Sequence, residues 1–420
     1  MNKIFKSLVG ASLCSLMLTA CGSDGGGEFL VQQAQNLPIN KTKYEYPSGS
    51  PVAQHGALKV NGLQLCDAAG KPVQLAGFST MGWQWCENCY TEESIKNLVD
   101  DWHINILRLA MYVEEGGYNK RPNHNLAEMC KLVDICGKLG IYCIVDWHIL
   151  TPGNPLDPIY GDAAPFFKYM SRKYAGAPHV IFEICNEPNG TEATWEVISE
   201  YANKVIPEIY APYDSIGAQH PLVICGTPQW DQLVDASLVK GRYQGNEMDF
   251  VDLPADDRRL KFDNVIYTFH FYASSHNEGS PKDGVEDYYN FYKYMYKVLG
   301  QLPVFCSEYG LTEASGDGNI DTDRTDKWIH MFMGNNAGNQ KVSFCNWSYS
   351  DKDEKSAALK PFSCSRKAWN NTTKSGEYVR RVLNVVNNGA TDPTVLKPEN
   401  VYKPECKAAN ACKAEETKKP

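Results

Sequence analysis

The sequence predicts a (β/α)8 barrel, and three observations carry that prediction. Eight short apolar runs recur between residues 72 and 351, and the stretches between them leave room for one amphipathic helix each. Continuous apolar strands of this kind are what a parallel sheet covered by helices demands. Every run also ends in polar or aromatic residues, and no glycine-rich phosphate loop is present, which favours a barrel over a doubly wound sheet.

In chain order the runs are PVQLAGFST (72–80), INILRLAMY (104–112), IYCIVDWH (141–148), VIFEICNEP (180–188), PLVICGTPQW (221–230), NVIYTFHFYA (264–273), LPVFCSEYG (302–310) and KVSFCNWSYSD (341–351). Helical patterns such as TEESIKNLVDDW and NLAEMCKLVDICGKLG fall between them. Arg108, His148, Glu187, Gln229, His270 with Tyr272, Glu308 and Trp347 lie toward the C-terminal ends of the runs. In a barrel such ends converge on one face, where barrel active sites are built. One polar strand end is ordinarily structural; a whole set of them is hard to explain by packing.

The flanks read differently. MNKIFK carries two lysines, and SLVGASLCSLMLTA is apolar but too short to span a bilayer stably. LTAC, ending at Cys21, resembles the lipobox of bacterial lipoprotein signals; an ordinary signal peptide that happens to contain Cys is the alternative. Residues 1–20 are therefore expected to be a signal peptide, with Cys21 lipidated and the chain exported to the cell envelope or secreted. Residues 21–51 are expected to be a polar linker, 52–395 the barrel, and 396–420 a short Cys-containing tail. A net charge of −9 offers no basic stripe for phosphates, which argues against nucleic acid or an anionic membrane surface as partner.

Fifteen cysteines need an account. Cys143, Cys185, Cys225, Cys306 and Cys345 sit in apolar runs and read as small buried hydrophobes. Cys86 with Cys89, and Cys406 with Cys412, read as local disulfides in an oxidising compartment. CENC could be half of a zinc site, but no second CxxC or paired His completes it, so neither metal nor cofactor is expected.

Glu187 and Glu308, after the fourth and seventh runs, offer the paired carboxylates that glycoside hydrolysis needs. One must stay protonated to donate to the leaving oxygen, and the other must be ionised to attack carbon. EICNEPNG and VFCSEYG resemble glycoside hydrolase family 5, clan A, over about residues 52–390, and PVQLAGFSTMGWQW, AMYVEEGGY, VDWHIL, GTPQWDQ and NWSYSDKDEKSAAL resemble its bacterial endoglucanase branch. The resemblance implies Glu187 as general acid/base and Glu308 as nucleophile, in a retaining endo-β-1,4-glucanase of cellulose-type or mixed-linkage β-glucans. It implies Arg108 beneath Glu308, Asn186 on the sugar 2-hydroxyl, His148 and His270 lining the reacting subsite, and Tyr272 against the nucleophile. Trp347 would be a stacking platform, with Lys352, Glu354, Trp85 and Tyr112 meeting sugar beyond it. The partner would be a β-glucan polysaccharide or oligosaccharide, bound by a monomer.

One position departs from the branch. Its first strand commonly ends Ser-x-His-Gly-Leu-Gln-Trp, where this chain has Ser79-Thr80-Met81-Gly82-Trp83-Gln84-Trp85. A thioether cannot donate a hydrogen bond to sugar, so Met81 alters an outer subsite. A β-mannanase or glucomannanase uses the same pair and is the alternative within the family. A glycan-binding lipoprotein on an inactive barrel should have lost a glutamate or Arg108, and all three are present.

Other polar residues have plainer readings. Glu183 lies too deep in its strand for chemistry and reads as a structural ion pair or hydrogen bond. His103, His124 and His179 read as surface or packing residues, His55 and His220 have no visible partner, and Trp102 and Trp195 read as core.

Overall fold

A computed structural model describes residues 33–233, 258–276 and 291–403, with Leu30, Leu238 and the backbone of two short strands at 242–244 and 247–249. Eight parallel strands close a barrel: β1 (Ala76–Thr80), β2 (Ile106–Tyr112), β3 (Tyr142–His148), β4 (Val180–Glu183), β5 (Val223–Cys225), β6 (Val265–Tyr272), β7 (Val304–Gly310) and β8 (Ser343–Tyr349). Their order around the ring follows the chain, with β8 pairing β1. Each lies within one of the eight apolar runs.

Helices cover the ring: α1 (Glu92–Trp102), α2 (Pro122–Leu139), α3 (Ala163–Lys173), α4 (Trp195–Ile216), α5 (Phe291–Val298), α6 (Thr322–Phe332) and α7 (Lys374–Asn388). Local chemistry explains several ends. Thr91 and Ser94 form a capping box at the start of α1, while Thr194 and Thr373 cap α4 and α7. The β5–β6 connection breaks the expected pattern. Its described residues hold only the turn Pro228–Asp231 and the two short antiparallel strands. Gln229, Trp230 and Asp231 there take φ of 60°, 56° and 57°, so the run read as a strand to residue 230 leaves the barrel early.

Inside the ring, Ile106, Ile144, Ile181, Ile224, Ile266 and Phe305 form an apolar layer continuous with Val52, Leu58 and Leu65. Val52 belongs to a short helix (Pro51–His55) and Leu65 to a hairpin (Lys59–Asn61 with Gln64–Cys66), with Leu58 on the link between them. The rest of the core lies between the strands and the helices, and Trp102 and Trp195 are part of it. At Gly77 the β1 and β2 backbones approach so closely that a Cβ would sit 1.9 Å from Ile106 O.

Several expectations change. The 21–51 segment is not a free linker where it is described. Arg172 Nε donates to Leu37 O at 2.6 Å, Asn40 N to Arg172 O at 2.9 Å, and the Tyr46 hydroxyl bonds His179 Nδ1 at 2.8 Å. Cys86 and Cys89 do not pair; Cys89 is bonded to Cys364, 275 residues away, and Cys86 is a buried free thiol. The five strand cysteines are buried and free, as read. His220 does have partners, with Asp263 and Asp214 each 2.8 Å away, and His55 lies 3.7 Å from Asp67. The signal segment, Cys21, Cys406 and Cys412 lie outside the described residues.

Candidate active site

The C-terminal rim of the barrel begins with a buried cation. Arg108 on β2 follows Ile106 at strand parity, so it points inward one layer above the apolar floor. It is fully buried, and a buried charge must be paired. Its Nε lies 2.6 Å from Glu183 Oε2, its Nη1 3.0 Å from Glu308 Oε2, and its Nη2 3.0 Å from Asp146 Oδ2 and 2.7 Å from Asn186 Oδ1. Burial works against this cation, but the three carboxylates hold its pKa well above the ordinary value. Glu183 is thus a structural ion pair, as its depth in β4 predicts.

Glu308 is the best supported anion of the pair. It receives Arg108 through Oε2 and the Tyr272 hydroxyl through Oε1 at 2.7 Å. Register explains the meeting, because β6 and β7 align His270 with Glu308 and Tyr272 with Gly310. Burial and nearby Glu187 push the Glu308 carboxyl up, while His270 and Arg108 draw it back.

Glu187 stands beyond the end of β4 with φ 41°, and its backbone N–H donates to Asp231 Oδ2 at 2.7 Å. Its side chain is 15% exposed. Among the described residues no cation reaches it directly; its Oε1 lies 3.0 Å from His270 Nδ1. Burial raises its carboxyl to about 7, with Arg108 opposing and Glu183 adding. One oxygen of Glu187, one of Glu308 and a His270 nitrogen lie within 4.8 Å of one another. Burial pushes His270 and His148 down to about 4 and about 3, so both imidazoles are neutral.

The remaining predicted residues surround this pair. His148 bonds Asp146 Oδ2 at 2.7 Å and stacks on Trp347 with centroids 5.5 Å apart and an 11° interplanar angle. Tyr112 packs on His148 at 4.2 Å and on Trp85 at 4.9 Å. Lys352 pairs with Glu354 at 2.5 Å. Asn186 is a buried bridge, taking Arg108 on Oδ1 and donating from Nδ2 to Ile149 O at 2.9 Å. A cavity of about 480 Å³ contains Glu187, Glu308, His148, His270, Tyr272, Trp347, Lys352 and Glu354. A second, of about 630 Å³, shares Met81, Tyr112 and Lys352 with it and runs past Trp85 to Phe362. Trp85 and Phe362 are 47% and 66% exposed, so two aromatic faces stand open along this trough.

Gln229 is exposed and does not line either cavity. The sequence reading missed Trp230, which is 46% exposed in the first cavity, and the buried Asp146, Asp231 and Ser307. Asp146 had a signal, since it shares strand parity with His148. Asp231 and Trp230 had none, because their positions depend on three consecutive positive-φ residues.

Residues 66–353 match the family model described as cellulase (glycosyl hydrolase family 5). The chain is 36% identical over 330 residues to an endoglucanase of Clostridium saccharobutylicum and 35% identical over 343 residues to one of Thermobifida fusca. These alignments take in 78% and 80% of this chain, and the chain spans 65% of each relative's length. Among solved structures, a cellulase named Cel5C_n superposes with a TM-score of 0.69 at 40% identity, covering 81% of this chain and 95% of that one. The catalytic domain of Thermobifida fusca endoglucanase Cel5A, in complex with cellotetraose, superposes with a TM-score of 0.67 at 33% identity, covering 80% and 100%.

Proposed function

Because the chain belongs to glycosyl hydrolase family 5, the cellulase family, we propose that it is an endo-β-1,4-glucanase that cleaves cellulose-type or mixed-linkage β-glucans with retention of configuration. The observation that carries this reading is the carboxylate pair, whose nearest oxygens lie within 4.8 Å. Retaining glycosidases hold the two carboxyls about 5–5.5 Å apart, whereas inverting ones need about 6.5–9.5 Å to admit a water. The environments differ in the sense that double displacement requires. Glu308 accepts from a guanidinium and a phenol and serves as the anion. Glu187, raised to about 7, keeps its proton near neutrality.

In the first half-reaction Glu187 gives its proton to the glycosidic oxygen as the C1–O bond breaks and a Glu308 oxygen bonds C1. In the second, Glu187 takes a proton from water as the water oxygen bonds C1 and the C1–O bond to Glu308 breaks. Arg108 and Tyr272 hold Glu308 aimed and ionised through both steps. The joined cavities, floored by Trp347 and flanked by Trp85, suit a long flat chain lying across the pair, which favours internal cleavage.

The test is product release from carboxymethylcellulose, barley β-glucan and glucomannan by wild type, Glu187→Gln and Glu308→Gln. Glucan hydrolysis that falls by several orders of magnitude in both variants is the expected result. Activity confined to the mannan-containing chain would move the substrate, and near wild-type turnover by either variant would overturn the assignment of the pair.

A further inference from the structure

Ser307 precedes Glu308 on β7 and is fully buried, yet the chemistry above makes no use of it. Its Oγ lies 2.6 Å from Glu183 Oε1, 2.5 Å from Thr268 Oγ1 and 2.8 Å from His270 Nε2. From this geometry we infer that Ser307 is a positioning residue: it fixes the tautomer of His270 and thereby places the proton on Glu187. The inference rests on the reading of Glu187 as acid/base.

A serine hydroxyl has one proton to give and two lone pairs to receive. Glu183 is held as a carboxylate by Arg108, whose Nε and Nη2 reach it at 2.6 Å and 3.3 Å, so it can only accept. The Ser307 proton therefore goes to Glu183. The two remaining neighbours, Thr268 and His270, must donate to Ser307 Oγ, which puts the imidazole hydrogen on Nε2. His270 is 2% exposed and neutral, so its Nδ1 is left as a bare acceptor. That acceptor lies 3.0 Å from Glu187 Oε1, and two acceptors cannot bond each other without a hydrogen between them. Glu187 supplies it. The relay runs Glu187 to His270 to Ser307 to Glu183, each group donating to the next.

Other charges act on Glu187 as well. On β2 and β3 these are Arg108, Tyr112 and Asp146, and on its own segment Glu183. Asp231 follows β5, and Tyr272 and Glu308 come from β6 and β7. Among the described residues, only His270 bonds the Glu187 carboxyl through a group whose donor and acceptor ends can exchange. With Ser307 present, an ionised Glu187 would face the Nδ1 lone pair, which disfavours ionisation. Without the Ser307 hydroxyl, Nε2 loses its acceptor and the hydrogen can move to Nδ1, where it stabilises the Glu187 anion.

The tautomer is read directly from long-range proton–nitrogen correlation spectra of the folded, unliganded wild type at pH 7, with His270→Gln identifying the resonance. An Nε2-protonated ring is expected, and an Nδ1-protonated ring would overturn the inference. The second measurement is kcat/KM on barley β-glucan against pH. The alkaline limb of Ser307→Ala should move down by roughly one pH unit, a tenfold change in proton affinity, while Ser307→Thr keeps the wild-type limb. A limb that stays in place while kcat falls would mean that Ser307 only supports packing. If Ser307→Ala does not fold, the wild-type spectrum decides alone. An Nε2-protonated His270 beside a Glu187→Gln enzyme with full turnover would leave the relay standing and remove the acid/base role from Glu187.

Discussion

At the scale of single residues, Arg108 organises the site. It touches Asp146, Glu183 and Glu308 at once, so removing any carboxylate changes the field on the others. Desolvating these charges is costly, and an apolar frame would be as stable or more so. Their value lies in orientation, since every Arg108 nitrogen is engaged and Glu308 cannot rotate without losing Nη1 or the Tyr272 hydroxyl. Trp347 works differently. It is 8% exposed, stacked against His148, and bonds nothing at the carboxylate pair. Trp347→Ala should therefore remove about 1–2 kcal/mol of sugar stacking and raise KM roughly 5- to 30-fold with a smaller change in kcat. Initial rates on soluble β-glucan check this, and a loss confined to kcat would contradict a platform role.

At the scale of elements, strand ends and the loops beyond them share the work. β3, β6, β7 and β8 bring side chains by parity alone, as His148, His270, Glu308 and Trp347 do. Glu187 lies past the last ladder residue of β4, held by a left-handed backbone and by Asp231 across the gap. The outer end of the trough depends on a covalent link. Cys89 lies just before α1, and Cys364 lies in the loop after β8 that presents Phe362. The Asp351 carboxylate accepts the Cys364 N–H at 2.9 Å on the same loop. Cys364→Ser should lower stability by about 2–4 kcal/mol, because the bridge closes a loop of 275 residues. Thermal unfolding with and without a reductant measures it. Wild type should lose stability when reduced and the variant should not; an equal response in both would show that the bridge contributes nothing.

At the scale of the whole molecule, the barrel is joined to the segment before it. Tyr44 and Tyr46 pack on His179, which is 1% exposed and bonds Tyr46 on one side and Val133 O at 3.3 Å on the other. Burial lowers His179 to about 4. Above pH ~6.5 both folded and unfolded chains hold this ring neutral. Between there and about 4 only the unfolded chain gains its proton, so stability falls as the pH drops across that window, by up to roughly 3 kcal/mol. Glu187 and Asp146, raised to about 7, act in the opposite sense, because the folded state takes up their protons first. The His179 contribution is therefore read by difference. The drop in melting temperature from pH 7 to pH 5 should be smaller in His179→Gln than in wild type, and an identical drop would place the ring outside this linkage.

By itself the sequence determined the ring and the residues at its rim. Strand period and burial are local properties, so eight apolar runs with polar ends specify a barrel and predict that Arg108, His148, His270, Glu308 and Trp347 share one face. What depends on contacts between distant segments was not legible. A cysteine pairs with the thiol that folding brings near, and for Cys89 that is Cys364 rather than its neighbour Cys86. The 33–50 segment is polar in composition, yet it docks through a few hydrogen bonds and two tyrosines that a composition argument averages away. Asp231 and Trp230 reach the site only because the chain after β5 takes a left-handed turn that no residue type there demands. The sequence identified the two carboxylates, and the tertiary structure decided how they differ. That difference comes from the groups packed around each one: a guanidinium and a phenol on Glu308, and a neutral imidazole backed by Ser307 on Glu187.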